Sequence, residues 1–447
     1  MLKKRKCIII KRKLVSILLL CAVCTGLCAC TAGTSSVSTP AVGSSSAPVS
    51  ATETYSFNPL TGETFAAGQD ANTRPVAIMV NNVRAAYPQS GIAAADVIYE
   101  MVTEGGITRL MAVYPSLDVV PDPVGPVRSA RDQFVQLMLP LNALYVHIGS
   151  SIYADNLLNE YKYQDIDGMY LGSTSFVFLT ERSHTYANEH CWYTNSALIR
   201  AGIEKNVIST AGSYNKLFNF STAKVTPAAG EATNVMFYYS PNYAVGFTYD
   251  AATGTYLKSS FGAPHIDSAT GTQLAFKNVV LLYTDITLKP DGNCTEFALS
   301  KGKGVYITNG QYQDITWEKA GVFSELKLFD ADGKELAVNT GKSYIGVLGN
   351  TQVHTLEMNS EVTISALEGW VEESGQKHYY RDNLLVSGIT VIDGIWYNFD
   401  ENGNITPGWA DYNGQKMYFN EGGGIVTGEV VIDGKTYNFG SDGVLVE

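Results

Sequence analysis

Between Arg74 and Tyr114 the chain alternates short runs of branched apolar residues with turn residues, which predicts strands over Pro75–Val80, Val97–Met101 and Thr108–Tyr114. The period then changes. Phe134, Val135, Met138 and Leu139 recur at the spacing that gathers side chains on one side of a helix, so Ser129–Leu139 is predicted helical. A strand over Ala143–Ile148 and a helix over Tyr153–Tyr161 follow, and residues 58–210 read as an α/β domain. From Asn234 to Gly349 helical periodicity disappears. Short apolar runs at Val235–Tyr239, Gly246–Tyr249, Thr255–Lys258, Val279–Tyr283, Gly304–Ile307 and Tyr344–Val347 predict a mostly antiparallel β domain over 211–350. The fold class expected is α+β and multidomain.

After a linker at 351–368 the pattern becomes periodic. Glycines recur at 369, 388, 408 and 428, and a second set at 375, 394, 414 and 434. Aromatic pairs keep the same beat: Tyr379 and Tyr380, Tyr397 and Phe399, Tyr418 and Phe419, Tyr437 and Phe439. A period near twenty residues means stacked supersecondary units, here four short hairpins over 369–447 that form a β-hairpin solenoid. A longer period near forty is also present, since Gly369-Trp370 and Gly408-Trp409 open alternate units.

The N-terminal pattern is an address. Seven Lys and Arg residues within the first 29 positions precede an apolar stretch, Leu14–Ala29, too short for a typical spanning helix, so residues 1–29 read as a signal peptide. Leu27-Cys28-Ala29-Cys30 has the form of a bacterial lipobox, which makes Cys30 the lipidated mature N-terminus and the membrane a partner. Residues 30–57, rich in Ser, Thr, Ala and Gly, form a flexible tether.

Charge narrows the partners. Without the signal the remaining 418 residues carry 24 bases against 43 acids, a field that repels phosphate backbones, so no nucleic-acid partner is expected. Only Cys191 and Cys294 remain after Cys30, which is no disulfide framework, and the six His show no metal-ligand spacing. Neither a metal nor another cofactor is expected.

The body concentrates its charge at Glu100, Glu104, Arg109, Arg128 and Arg131. With Ser129 as N-cap of the predicted helix, Arg109, Arg128, Ser129 and Arg131 form a candidate site for an anionic envelope ligand, a carboxylate or a phosphate. The same arginines could instead pair with Glu100, Glu104 and Asp132 and fix the sheet against the helix. Catalytic candidates are Glu100 and Glu104 as an acid/base pair, and His147 and His190; no nucleophile elbow accompanies either histidine.

Two resemblances follow from particular residues. Arg74-Pro75-Val76-Ala77-Ile78-Met79-Val80-Asn81-Asn82, Pro88-Gln89-Ser90-Gly91, Ala95-Asp96-Val97-Ile98-Tyr99-Glu100, Glu104-Gly105-Gly106-Ile107-Thr108-Arg109 and Gly125-Pro126-Val127-Arg128-Ser129-Ala130-Arg131 resemble the YerB family of bacterial lipoproteins. Blocks such as His265-Ile266-Asp267 and Ile315-Thr316-Trp317 resemble its second, β-rich domain. The resemblance implies an extracytoplasmic, two-domain body with no established reaction. Asn81 departs from the family pattern, as does Cys191 after His190. The C-terminal units resemble choline-binding, or cell-wall-binding, repeats of Gram-positive surface proteins: Gly394, Trp396, Tyr397, Gly403, Gly408 and Trp409 keep that register. This implies an aromatic cage for choline or a wall glycan, with Trp396, Tyr397 and Trp409 as its rings. Asn398, Lys416, Glu429 and Thr436 depart from the motif, and the rings could equally serve only to pack the solenoid. The function expected is a lipid-anchored scaffold or binding protein between membrane and wall; the alternative is an envelope hydrolase or transferase acting on peptidoglycan or teichoic acid.

Overall fold

The computed structural model describes residues 57–65, 73–212, 214–240, 243–359, 369–373, 376–381, 384–400 and 403–446. The signal segment, Cys30 and most of the tether lie outside the described residues, as does 360–368 of the expected linker.

The apolar runs of the first region form β1 (Val76–Asn81), β2 (Val97–Val102), β3 (Thr108–Tyr114) and β4 (Leu144–His147), followed by the two-residue β5 (Ile166–Asp167). They belong to an eleven-stranded sheet that continues through the second region. Its order is Lys327–Phe329, Gln311–Glu318, Lys301–Thr308, Asn278–Thr284, Ser343–Gly349, β2, β3, β1, β4 and β5, with Gly230–Glu231 paired off this path. The join is Ser343–Gly349, which runs parallel to both β2 and Asn278–Thr284. The two expected domains therefore share one sheet, and the second region is not antiparallel throughout. β3 is antiparallel to β1 and β2, whereas β4 is parallel to β1.

Strands buried on both faces need two covers. One face of the sheet, with Ile78, Val80, Ile98, Leu110 and Val146, packs on Val235, Phe237, Phe247 and Tyr256 of a second, six-stranded sheet. That sheet includes Asn234–Ser240, Tyr243–Asp250 and Thr255–Ser260, and Glu357–Met358 pairs at its edge, so the first part of the expected linker belongs to the body. The other face, with Ala77, Met79, Tyr99, Met111 and Tyr145, packs on α1 (Asp132–Met138) and α2 (Ile152–Glu160).

The helix predicted over Ser129–Leu139 begins three residues later. Its N-cap is Arg131 in extended geometry, without a side-chain cap, so Ser129 does not cap it. An eleven-residue helix, Ser196–Asn206, was not anticipated, although the Asn195 side chain accepts from the Leu198 amide at 2.8 Å as a cap does.

The repeats form four hairpins: Gly369–Glu373 with Gln376–Arg381, Gly388–Ile392 with Ile395–Phe399, Gly408–Tyr412 with Gln415–Phe419, and Gly428–Ile432 with Lys435–Phe439. The last three turn at Asp393-Gly394, Asn413-Gly414 and Asp433-Gly434, with both residues of each pair at positive φ. Such two-residue turns match strand twist and explain the Asp/Asn-Gly repeat. Successive units interlock: the Ile425 amide donates to the Trp396 carbonyl and the Leu445 amide to that of Lys416, each at 2.8 Å. The first hairpin meets the body at Arg84, whose guanidinium lies 4.9 Å from the Phe261 ring centre and 5.6 Å from that of Tyr380.

Candidate functional site

Glu100 and Glu104 stand four residues apart, at the end of β2 and in the turn that joins it to β3. Gly105 and Gly106, both at positive φ, make that turn tight. The two carboxylates end in different surroundings.

Glu100 faces the six-stranded sheet and is fully buried. Its Oε1 accepts from Asn82 Nδ2 at 3.0 Å and Thr108 Oγ1 at 2.8 Å; its Oε2 accepts from Tyr344 OH at 2.8 Å and lies 3.3 Å from Lys258 Nζ. Lys258, also fully buried, donates to Ser260 Oγ and lies 3.2 Å from His265 Nδ1. His265 Nε2 faces Gln89 Oε1 at 2.9 Å and therefore carries the proton, while Nδ1 accepts from the ammonium. Burial, and secondarily the Lys258 charge, hold this imidazole neutral, well below its ordinary pKa. Burial also lowers Lys258, opposed by Glu100. Every group here has a partner inside the protein and none reaches solvent. Glu100 thus cannot act with Glu104 as an acid/base pair.

Glu104 faces the helical side. Arg131 grips it with Nε on Oε1 and NH2 on Oε2 at 3.0 Å, and Arg109 NH2 lies 3.5 Å from Oε2. Burial pushes this carboxyl up, but the Arg131 hydrogen bond and the two positive charges outweigh it and hold it below the usual range. Arg109 NH1 donates to the Ser129 carbonyl at 2.9 Å, so Ser129 contributes its backbone here. Burial, reinforced by Arg131, lowers Arg109 to about 9. Arg128 stands at the rim, its side chain 27% exposed, and donates to Glu189 Oε1 at 2.9 Å. Asp132 pairs with Lys289 at 3.0 Å rather than with an arginine. The predicted anion-site residues are thus brought together, with their own carboxylates between them.

The two candidate histidines differ in state. His147 Nε2 faces Asp165 Oδ2 at 2.8 Å and Nδ1 faces the Gly149 carbonyl at 2.9 Å, so both nitrogens donate and the ring is an imidazolium. Burial opposes this charge, yet the Asp165 hydrogen bond and charge raise its pKa. His190 Nδ1 accepts from Asn81 Nδ2 at 2.9 Å, and burial lowers its pKa. Neither has a nucleophile as partner among the described residues. Cys191 and Cys294 are buried free thiols.

In the repeats the three rings expected to share one cage lie in three different ring contacts. Tyr397 packs against Trp370, 4.9 Å between ring centres; Trp396 packs against Tyr412, at 5.4 Å; and Trp409 packs against Tyr437, at 4.9 Å. Two equivalent clusters result. Trp370 meets Tyr379, Tyr397 and Phe399, and Trp409 meets Tyr418, Tyr437 and Phe439, with near-perpendicular Trp–Tyr planes in both. The indoles remain 39% and 43% exposed. The forty-residue period held this signal, because it carries Trp370 onto Trp409 and Tyr397 onto Tyr437.

A body in which one mixed sheet is covered by a second sheet and by helices, extended by aromatic hairpins, is the class this chain defines. Residues 60–209 match the N-terminal domain, and residues 234–345 the C-terminal domain, of the family described as protein of unknown function DUF3048, and the chain belongs to that family. It is 31% identical over 280 residues to YerB, a candidate lipoprotein of Bacillus subtilis (strain 168), covering 62% of this chain and 81% of that protein. The crystal structure of Bacillus subtilis YerB superposes with a TM-score of 0.59 at 28% identity, over 68% of this chain and 99% of the other. The choline binding domain of Spr1274 from Streptococcus pneumoniae overlaps 14% of this chain and 84% of its own at 27% identity, with a TM-score of 0.13. At that score the overlap says nothing about a shared ligand. No helix among the described residues is long and apolar enough to cross a membrane.

Proposed function

We propose that this chain is a lipid-anchored, extracytoplasmic scaffold of the cell envelope, moored to the membrane through Cys30 and to wall polymer, choline-bearing or glycan, through its hairpins. The observation that carries the reading is the pair of equivalent ring clusters, each presenting a half-exposed indole at the same register. Packing alone would not require the largest apolar side chain of each cluster to face solvent. The lipobox-like segment and the candidate-lipoprotein description of the Bacillus relative support the membrane end. Two weak attachments at opposite ends give a high effective concentration in the space between. In the body the sealed Glu100 network and the self-paired arginines favour a scaffold over the rival hydrolase or transferase, and Arg128, at the rim, is the group through which an anionic wall component is met.

The test is sedimentation of the mature chain with purified wall. W370A/W409A should lower the bound fraction by about tenfold, whereas Trp396→Ala should lower it by less than about twofold. Equal losses in the two variants, or no binding by the parent chain, would refute the ring-cluster reading.

A further inference from the structure

The array from 369 to 447 contains only four basic residues: Lys377, Arg381, Lys416 and Lys435. Two of them stand over tyrosines of the two ring clusters. The Arg381 guanidinium lies 5.9 Å from the ring centre of Tyr379, which belongs to the Trp370 cluster. Lys435 Nζ lies 4.9 Å from that of Tyr437, which belongs to the Trp409 cluster. The repeat itself does not deliver these cations: the positions equivalent to Arg381 and Lys435 in the other cluster are Asn420 and Ile395. Each cluster thus acquires one cation from a different place in its hairpin. Arg381 is also fixed from behind, because its NH2 donates to the Val391 carbonyl at 3.0 Å.

A quaternary ammonium is bound by ring faces at the distances these side chains already occupy. Tyr437 is met by the Trp409 ring at 4.9 Å and by the Lys435 ammonium, and Tyr379 by the Trp370 ring at 5.2 Å and by Arg381. What stays open in each cluster is the indole. An uncharged sugar ring can lie on that surface without displacing a cation; a trimethylammonium competes with one and meets like charge beside it. Resting on the wall-binding reading above, we infer that Arg381 and Lys435 set the specificity of the array: they satisfy the cation-binding rings internally, so the ligand is a neutral glycan stacked on Trp370 and Trp409 rather than choline.

Tryptophan fluorescence of the mature chain, titrated with choline chloride and with an uncharged N-acetylglucosamine tetramer, tests this. The parent chain should respond to the sugar at lower concentration than to choline. Arg381→Gln with Lys435→Gln should raise choline affinity by about fivefold and leave sugar affinity within about twofold, since both side chains are exposed and neither supports the hairpin backbone. Unchanged or weakened choline binding in the double variant overturns the inference, as does tighter binding of choline than of sugar by the parent chain. If the parent chain binds purified wall through Trp370 and Trp409 while the double variant behaves in either of those ways, only the specificity inference falls. If the parent chain binds neither wall nor sugar, the wall-binding reading falls with it.

Discussion

Glu100 and Glu104 are the same residue type four positions apart, yet one is walled into a network with Lys258 and the other is shared by arginines near the rim. The difference teaches what each face of the sheet does. The Glu100 face is where the two family segments meet, and its charges come from partners far along the chain, so it fastens one segment to the other. The Glu104 face ends among half-exposed arginines, where charge can be exchanged with a ligand. Breaking the first should cost stability, and breaking the second should cost less stability and more recognition.

The largest effect is expected at Lys258. Replacing it with Met leaves a carboxylate in a dry interior without its counter-charge, a loss of about 3–5 kcal/mol, measured by urea unfolding. Adding Glu100→Gln to Lys258→Met should recover a large part of that loss, because a neutral pair no longer carries an uncompensated charge. A double variant as unstable as the single one would show that packing, not the ion pair, joins the segments.

Glu104→Gln should cost less, about 1–3 kcal/mol, since the arginines it leaves behind can draw on water from the rim. Its carboxyl is held low in the folded state, so its contribution is present above the unfolded carboxylate pKa of about 4.3 and is lost as pH falls through the lower, folded value. The stability difference between parent and variant should therefore shrink on acidification. A difference constant from pH 7 to pH 3 would contradict the pairing.

Two buried histidines sharpen the contrast by their sign. His147 is held charged, so its contribution is full below the unfolded value of about 6.5 and fades as pH rises through its raised folded value. His265 is held neutral, so the fold loses stability as pH falls from about 6.5 toward its depressed value. His147→Asn should then be more damaging at pH 5.5 than at pH 8.5, and His265→Gln more damaging at pH 8.5. Melting temperatures of both variants across that range decide it.

How much of this could be read from the chain depends on the range of the interaction. The strands were legible because branched runs such as Val76–Val80 and Thr108–Tyr114 declare themselves locally. The place of Ser343–Gly349 between β2 and Asn278–Thr284 was not, because strand order is a matter of pairing between distant segments. The arginine cluster was found from charge in an otherwise sparsely charged chain, but its partners were not: Lys258 is 158 residues from Glu100, and nothing in its own neighbourhood marks it as buried. In the repeats the cage was sought among rings close in sequence, Trp396, Tyr397 and Trp409, whereas hairpin stacking joins Trp370 to Tyr397 and Trp409 to Tyr437. The helix at Ser196–Asn206 carried its cap in the sequence but lacked a strong apolar stripe, with only Ile199, Gly202 and Ile203 buried.

The smallest stability effect, and the most informative about recognition, belongs to Arg128. Its pair with Glu189 is half-exposed, so solvent screens it and Arg128→Ala should change stability by less than about 1 kcal/mol. If the rim meets anions, inorganic phosphate at tens of millimolar should raise the melting temperature of the parent chain by mass action, and Arg128→Ala should abolish that rise. Arg131→Ala is the control, because it breaks the buried Glu104 pair and should lower the melting temperature with or without phosphate. A phosphate effect that survives Arg128→Ala would move anion binding away from this rim and leave the arginines as a fastening for the helical face, which is the role their carboxylate partners already give Arg109 and Arg131.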